Sequence, residues 1–379
     1  MTRPSTAVAN ALMGELATWL EGPDAAHAGA IARWSPGTWV AFRQVVTMHG
    51  LAPHLAARLP GSDLGKAMPA ATLDWLAAQA GQNADRIRRM HDELGSILAR
   101  AATAGIEVMP LKGAVLGTVP GADPARRPMA DLDLLVRPAD RPPMREILVG
   151  LGYRHVPERH RRPTHEVFVD PGGGRVIEPD GEHPDNPRKV ELHVEVKRHL
   201  WGWVDDDDLT DELWRGASRG WVVGQPATLP RPESLLAHIA IHATSDLLAG
   251  RGRLVQWLDL GVVAPLVAEV GGLPHSRIAY PSLRLAQRVL PQALGGTDLT
   301  GLEEQVPSGL VRWAATVRID SGCGLTTGRP PDAPAGLGAR WERWRPDRWR
   351  LLVAYGDPPL PVALVRHGLT IARRARRVE

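Results

Sequence analysis

Cysteine is nearly absent: Cys323 is the only one in 379 residues. This excludes an intrachain disulfide and a thiolate metal cluster, and it fits a reducing compartment. Runs of about 18 apolar residues are also missing, so no membrane span is expected. Glu15 interrupts the apolar residues of ANALMGELATWL, which therefore does not read as an export signal. The expectation is a cytoplasmic protein. Lysine is scarce, with Lys66, Lys112, Lys189 and Lys197 the only four among 45 basic residues. Arginine is thus the default cation. A lysine is then mildly informative, because a compact ammonium fits against a phosphate or carboxylate where a guanidinium fork does not. A broad excess of one charge is lacking as well. The net charge is +3, while residues 340–379 alone hold ten arginines and four acids, so the rest of the chain is slightly acidic. That balance argues against a non-specific nucleic-acid binder, and nucleic acid is not the expected partner.

What is present is a hydrophobic content of 44%, enough for a folded chain of two or three packed units. Residues 5–104 carry apolar side chains three to four apart in ANALMGELATWLEG, WVAFRQVVTMHGLAPHLAARL and the long ATLDWLAAQAGQNADRIRRMHDELGSILARAATAG, which predicts helices. Gly105 closes the last of them. Short strand-like runs follow: IEVMP, LDLLVRP, YRHVP, HEVFVD, GRVIEP and KVELHVEVKR, with the helix PPMREILVGLG between the second and third. From Leu209 the pattern is helical again, with Asp207, Asp208 or Thr210 as caps for DELWRGA, then PESLLAHIAIHATSDLL and RLVQWLDLGVVAPLVAEV. GLTTGRPPDAPAGLG, residues 324–338, reads as a linker. The expected organisation is a helical region over 1–104, a mixed sheet over 105–204, a second helical region over 205–323, and a Gly/Pro linker with a basic helical tail over 324–379. The fold class is α+β.

The chemistry is concentrated in MADLDLLV. On a strand, Asp131 and Asp133 point to the same side, roughly 6 to 7 Å apart at Cα, while Leu132 and Leu134 face a core. Two carboxylates on a rigid element can share a hard divalent cation, and a third oxygen donor is wanted. KVELHVEV supplies it: alternation sets Val190, Leu192, Val194 and Val196 against Glu191, His193 and Glu195.

The helical approach ending in GIEVMPLKG, followed in order by Arg127, DLDLLV, the LGY turn, KVELHVEV, DELWRGA, PESLLAHIAIHA and RLVQWLDLG, covers roughly residues 5–270 and resembles the DNA polymerase β-like nucleotidyltransferase superfamily. Within it, the chain looks like the bacterial subgroup of uncharacterised nucleotidyltransferases associated with polysaccharide and peptide natural-product biosynthesis. Gly113-Ala114 stands where the superfamily usually has Gly-Ser or Gly-Gly, and the gap from Gly113 to Asp131 is longer than usual. The resemblance implies a small mixed sheet flanked by helices, with Asp131, Asp133 and Glu191 as catalytic ligands of two Mg²⁺ ions, Mn²⁺ being an alternative. It implies Lys112, Gly113 and Arg127 on the phosphates, with His193 orienting a metal-bound water or touching the acceptor. The implied reaction moves a nucleoside monophosphate from an NTP to a hydroxyl or phosphate of a small metabolite or modified peptide, with pyrophosphate leaving. Rival readings are transfer to protein or RNA, as in toxins, and a nucleotide-binding module without turnover.

Plainer roles exist for each residue. Asp131 and Asp133 could line a solvated strand face, Glu191 could pair with Arg154, and Lys112 and Arg127 could form salt bridges to nearby acids. His238 and His242 lie i,i+4 but lack the glutamate of HExxH, which favours a core role. Asp259 could hydrogen-bond His242. Asp205 to Asp208 read as a solvated turn, and Arg159, His160, Arg161 and Arg162 as an exposed basic loop.

Overall fold

In a computed structural model, the described residues are 6–22, 25–157, 165–170, 172, 176, 183–200, 204–248, 252–294, 296–317, 348–356 and 358–376. Their elements are helices α1 (Thr6–Glu21), α2 (Ala25–Ile31), α3 (Pro36–His49), α4 (Ala52–Arg58), α5 (Asp63–Ala67) and α6 (Ala70–Thr103). Strand β1 (Val108–Pro110), helix α7 (Gly113–Leu116), strand β2 (Asp131–Val136) and helix α8 (Arg141–Gly150) follow. Next come β3 (Arg154–Val156), β4 (His165–Val169), β5 (Lys189–His193), β6 (Lys197–Leu200), β7 (Val204–Asp208), α9 (Thr210–Trp214), β8 (Ser218–Val222) and β9 (Gln225–Leu229). The chain then forms α10 (Pro232–Leu248), α11 (Leu254–Val263), α12 (Ser276–Val289), α13 (Thr300–Glu303) and α14 (Ser308–Thr316), with two more helices at Arg348–Tyr355 and Leu360–Arg376. The fold is α+β, a small mixed sheet flanked by helices, as the sequence pattern indicates. No helix among the described residues is long and apolar enough to cross a membrane.

The 34-residue α6 is the spine of the sheet's first layer. Its buried side chains Asn83, Arg86, Ile87, Met90, Leu94, Ile97, Leu98 and Ala101 recur every three or four residues, one stripe along its length. Gly105 ends it, at φ +72°, donating its N–H to Ala102 while the Ile106 N–H reaches Ala101. That left-handed cap satisfies two otherwise unpaired carbonyls, and glycine adopts it without strain.

The five-stranded sheet has the order β1-β2-β5-β4-β3. β2 and β5 run parallel, and every other pairing is antiparallel. Leu132, Leu134, Val136, Val190, Leu192 and Phe168 face α6 and α8 in one apolar cluster. The opposite face begins with Asp131 and Asp133 and continues into Leu135 and Met109, which join a second cluster. This larger core combines α1, α3 and α4 with α10, α11 and α12, so the first and last helical regions share one interior. Arg253 Nε donates to the Met48 carbonyl and the Leu254 N–H to His49 Nδ1, tying the end of α3 to the start of α11.

Three expectations need correction. KVELHVEVKR is not one strand: pairing with β4 stops at His193, and Val196 enters the helical core while β6 pairs with β7. Asp205 to Asp208 lie in β7 rather than a turn, although Asp208 does accept the Thr210 N–H at the start of α9. The region after Leu209 is not wholly helical, because β8 and β9 form a hairpin. Val223 (φ +44°) and Gly224 (φ +76°) make its two-residue turn, the left-handed pair that matches strand twist. GRVIEP, apart from Val176, lies outside the described residues, as do Arg159, His160, Arg161, Arg162 and residues 324–338.

Candidate active site on the polar face of the sheet

Two devices aim the acidic strands. The buried Arg86 of α6 donates to the carbonyls of Met129 and Ala130, which lead into β2, and to those of His183, Asn186 and Pro187, which lead toward β5. One guanidinium fork therefore holds both approaches together. The pairing it supports puts Asp131 beside Lys189, Asp133 beside Glu191 and Leu135 beside His193. β4 then brings His165 opposite His193.

Asp133 is buried, and its Oδ1 accepts from Lys112 Nζ at 2.6 Å and lies 3.1 Å from His193 Nε2. Burial alone would raise its pKa, yet the neighbouring ammonium and imidazole hold it well below the usual carboxylate range. Glu191 Oε2 is 3.7 Å from His193 Nε2 and 3.6 Å from His165 Nε2. Burial pushes Glu191 up, but the imidazoles win and its pKa is lowered. His193 is displaced upward against its own burial by the same two carboxylates. Asp131 behaves differently. Burial and the adjacent Asp133 charge push it up to about 6, and among the described residues no hydrogen bond or ion pair engages its side chain. A carboxylate whose charged form is disfavoured beside two other carboxylates is the donor chemistry that a divalent cation completes.

Lys112 has φ +47° and ψ −125°, a backbone conformation that costs a non-glycine residue on the order of 1–3 kcal/mol. The tight turn of α7 and the ion pair to Asp133 hold it there. Gly113 next to it has no room for a side chain, since a Cβ would collide with Arg127 Nη1 and with Met129. Arg127 itself is anchored. Its Nε lies 2.9 and 3.0 Å from the two carboxylate oxygens of Asp259 and its Nη2 2.9 Å from Oδ2, while Nη1 reaches the Pro128 carbonyl at 3.3 Å. This bidentate pair joins the turn before β2 to α11, and Asp259 favours the charged form of the half-buried guanidinium against the cost of its desolvation.

The structure thus gathers Lys112, Asp133, Glu191 and His193, sets Asp131 two residues along the same strand, and places Arg127 against Gly113. Plainer partners are also visible: Lys112 pairs with Asp133 and Arg127 with Asp259, whereas Glu191 meets His165 and His193 rather than Arg154. Asp259 does not bond His242, which instead lies 3.5 Å from Asp246. His238 is buried within α10. Sequence reasoning missed His165, although its strand HEVFV was legible and alternation sets His165 and Val167 on one side. It also missed Arg86, for which the only signal was a charged residue within an apolar stripe.

Residues 35–265 match the family model described as "Uncharacterised nucleotidyltransferase", a span that takes in every residue of this site. The chain belongs to that family. A nucleotidyltransferase takes a nucleoside triphosphate as substrate, and the three carboxylates with their cationic neighbours lie within the matched span. No curated protein matches the chain. Among solved structures, an antigenic nucleotidyltransferase-like protein from Paracoccidioides brasiliensis is similar, with 18% identity, 55% of this chain and 92% of that chain covered, and a TM-score of 0.33.

Proposed function

We propose that this nucleotidyltransferase moves a nucleoside monophosphate from an NTP to a hydroxyl or phosphate of a small metabolite or modified peptide, releasing pyrophosphate. The setting would be polysaccharide or peptide natural-product biosynthesis. The observation that carries the reading is the register of β2 and β5, which stands Asp133 directly beside Glu191 with Asp131 on the same face. Asp131, Asp133 and Glu191 would hold two Mg²⁺ ions, or Mn²⁺ in their place. When bound, such ions activate the attacking oxygen and neutralise the leaving one.

The protein's own groups position and neutralise. Lys112 sits on Asp133 by a flexible stem, so its ammonium can pass to a phosphate oxygen once the carboxylate has another cation. Gly113 lets the turn approach closely, and Arg127, fixed by Asp259, adds a stationary positive charge beside it. His193 bridges Asp133 and Glu191 and fixes how the two carboxylates face each other. Four labelled NTPs, each with Mg²⁺, are incubated with sugar phosphates, peptides, total protein and RNA. The expected result is pyrophosphate release and label in a small acceptor. Asp133→Asn should melt as cooperatively as the parent yet release none, and full turnover in that variant would refute the assignment. Label in protein or RNA would move the acceptor to a macromolecule.

A further inference from the structure

Beside the aspartates lies a donor set of another kind. His165 of β4 and Glu191 and His193 of β5 each offer one ligand atom, and these atoms all fall within 4.8 Å of one another. The two rings stand across the β4–β5 pairing with centroids 4.9 Å apart, and both Nε2 atoms address the same oxygen, Glu191 Oε2, at 3.6 and 3.7 Å. Three tetrahedral ligands at about 2.1 Å from a metal stand roughly 3.4 Å from each other. The two imidazole-to-carboxylate separations are therefore a few tenths of an ångström from what a bound ion requires.

We infer that His165, Glu191 and His193 form a binding site for a borderline transition-metal ion of the zinc class, distinguished by its two histidine nitrogens from the oxygen-only site proposed for magnesium, with which it has Glu191 in common. Two nitrogen donors and one carboxylate suit Zn²⁺, Co²⁺ or Mn²⁺, whereas Mg²⁺ demands oxygen and gives up water reluctantly. Charge favours the same division. Asp133 Oδ1 already accepts from Lys112 and lies 3.1 Å from His193 Nε2, whereas Glu191 Oε2 is the oxygen that both imidazoles face, so His193 would turn its Nε2 from Asp133 to the ion. Strand backbone holds all three residues, and neighbours on adjacent antiparallel strands diverge little, so the set is rigid. Glu191 is shared: its Oε2 faces both histidines, and the β2–β5 register stands the same residue beside Asp133. The two cation sites would accordingly be coupled through one side chain. This inference needs only the three ligands and stands whether or not nucleotidyl transfer is the activity.

The probe is Co²⁺, whose visible absorption distinguishes a four-coordinate protein site from the aqueous ion, titrated into the full untagged chain and followed by calorimetry with Zn²⁺ and Mg²⁺. We expect one Co²⁺ per chain, displacement by Zn²⁺, and no displacement by excess Mg²⁺. His165→Ala should weaken Co²⁺ by about 100-fold or more, since even an outer partner of a metal ligand costs up to that much. His165→Asn, closer in size and polarity, checks the result if the alanine variant melts early. Absence of a four-coordinate spectrum in the parent chain, or unchanged affinity in a folded His165 variant, would overturn the site. Mg²⁺-dependent pyrophosphate release without Co²⁺ binding would sink this inference alone. A stoichiometric Co²⁺ site with no turnover on any NTP would sink only the proposed function.

Discussion

Asp259→Asn should destabilise the protein by about 3 kcal/mol, because it leaves the Arg127 guanidinium inside the protein without its counter-charge. The geometry sets the size. Three contacts of 2.9 to 3.0 Å join the two groups, and their side chains are only 22% and 7% exposed. Breaking such a pair costs about 3–5 kcal/mol, and the partial exposure of Arg127 argues for the lower figure. At about 2 °C per kcal/mol for a long chain, the melting midpoint falls by roughly 6 °C. The decisive assay is a double-mutant cycle by urea unfolding, with Arg127→Met, Asp259→Leu and the combination. If the two charges act on each other, the double variant regains most of what the singles lose, with a coupling energy of about 2 kcal/mol or more. Asp259→Asn within about 1 kcal/mol of the parent, or single losses that simply add, would show that the pair does not fasten the Gly113 turn to α11.

The remaining predictions concern the supports of the site. Arg86→Met strands five backbone carbonyls at the entrances to β2 and β5, and should cost about 3 kcal/mol or more. Amide exchange at residues 131–133 and 189–191 should quicken, and an unchanged exchange pattern would deny Arg86 its positioning role. His49 is fully buried, and burial with the nearby Arg253 charge pushes its pKa down from 6.5 to about 3. Only the unfolded chain gains this proton between those values. Stability from His49 is therefore complete above pH 6.5 and declines as pH falls toward 3, by about 1.4 kcal/mol per unit. His49→Asn, which can still accept the Leu254 N–H, should flatten that part of the urea-midpoint profile, and an undiminished slope would exclude His49 as its source.

The parts of the site that were legible in the sequence are those written into local periodicity. Alternation in DLDLLV and KVELH fixes which face each carboxylate takes, and the long stripe of α6 is visible for the same reason. Partners separated by long stretches of chain were not legible. Arg127 and Asp259 lie 132 positions apart, and nothing in either neighbourhood encodes the other. His165 becomes informative only when β4 is known to pair with β5. The β8–β9 hairpin escaped because Trp221 and Val222 continue an apolar texture that helices share, and Val223-Gly224 is a weaker turn signal than Asn-Gly. Where KVELH stops being a strand was invisible for a related reason. Val194 and Val196 keep the alternation, but Val196 finds its burial in the helical core instead of on the sheet.

That shared helical interior has a consequence for synthesis. Trp19, Phe42 and Leu55 emerge from the ribosome early, while α10, α11 and α12, which complete their surroundings, are translated some two hundred residues later. At about 5–20 residues per second, the leading helices wait on the order of ten seconds or more with apolar surface uncovered. The nascent chain is therefore a natural client for chaperones, and residues 232–289 act as the latch that closes its beginning.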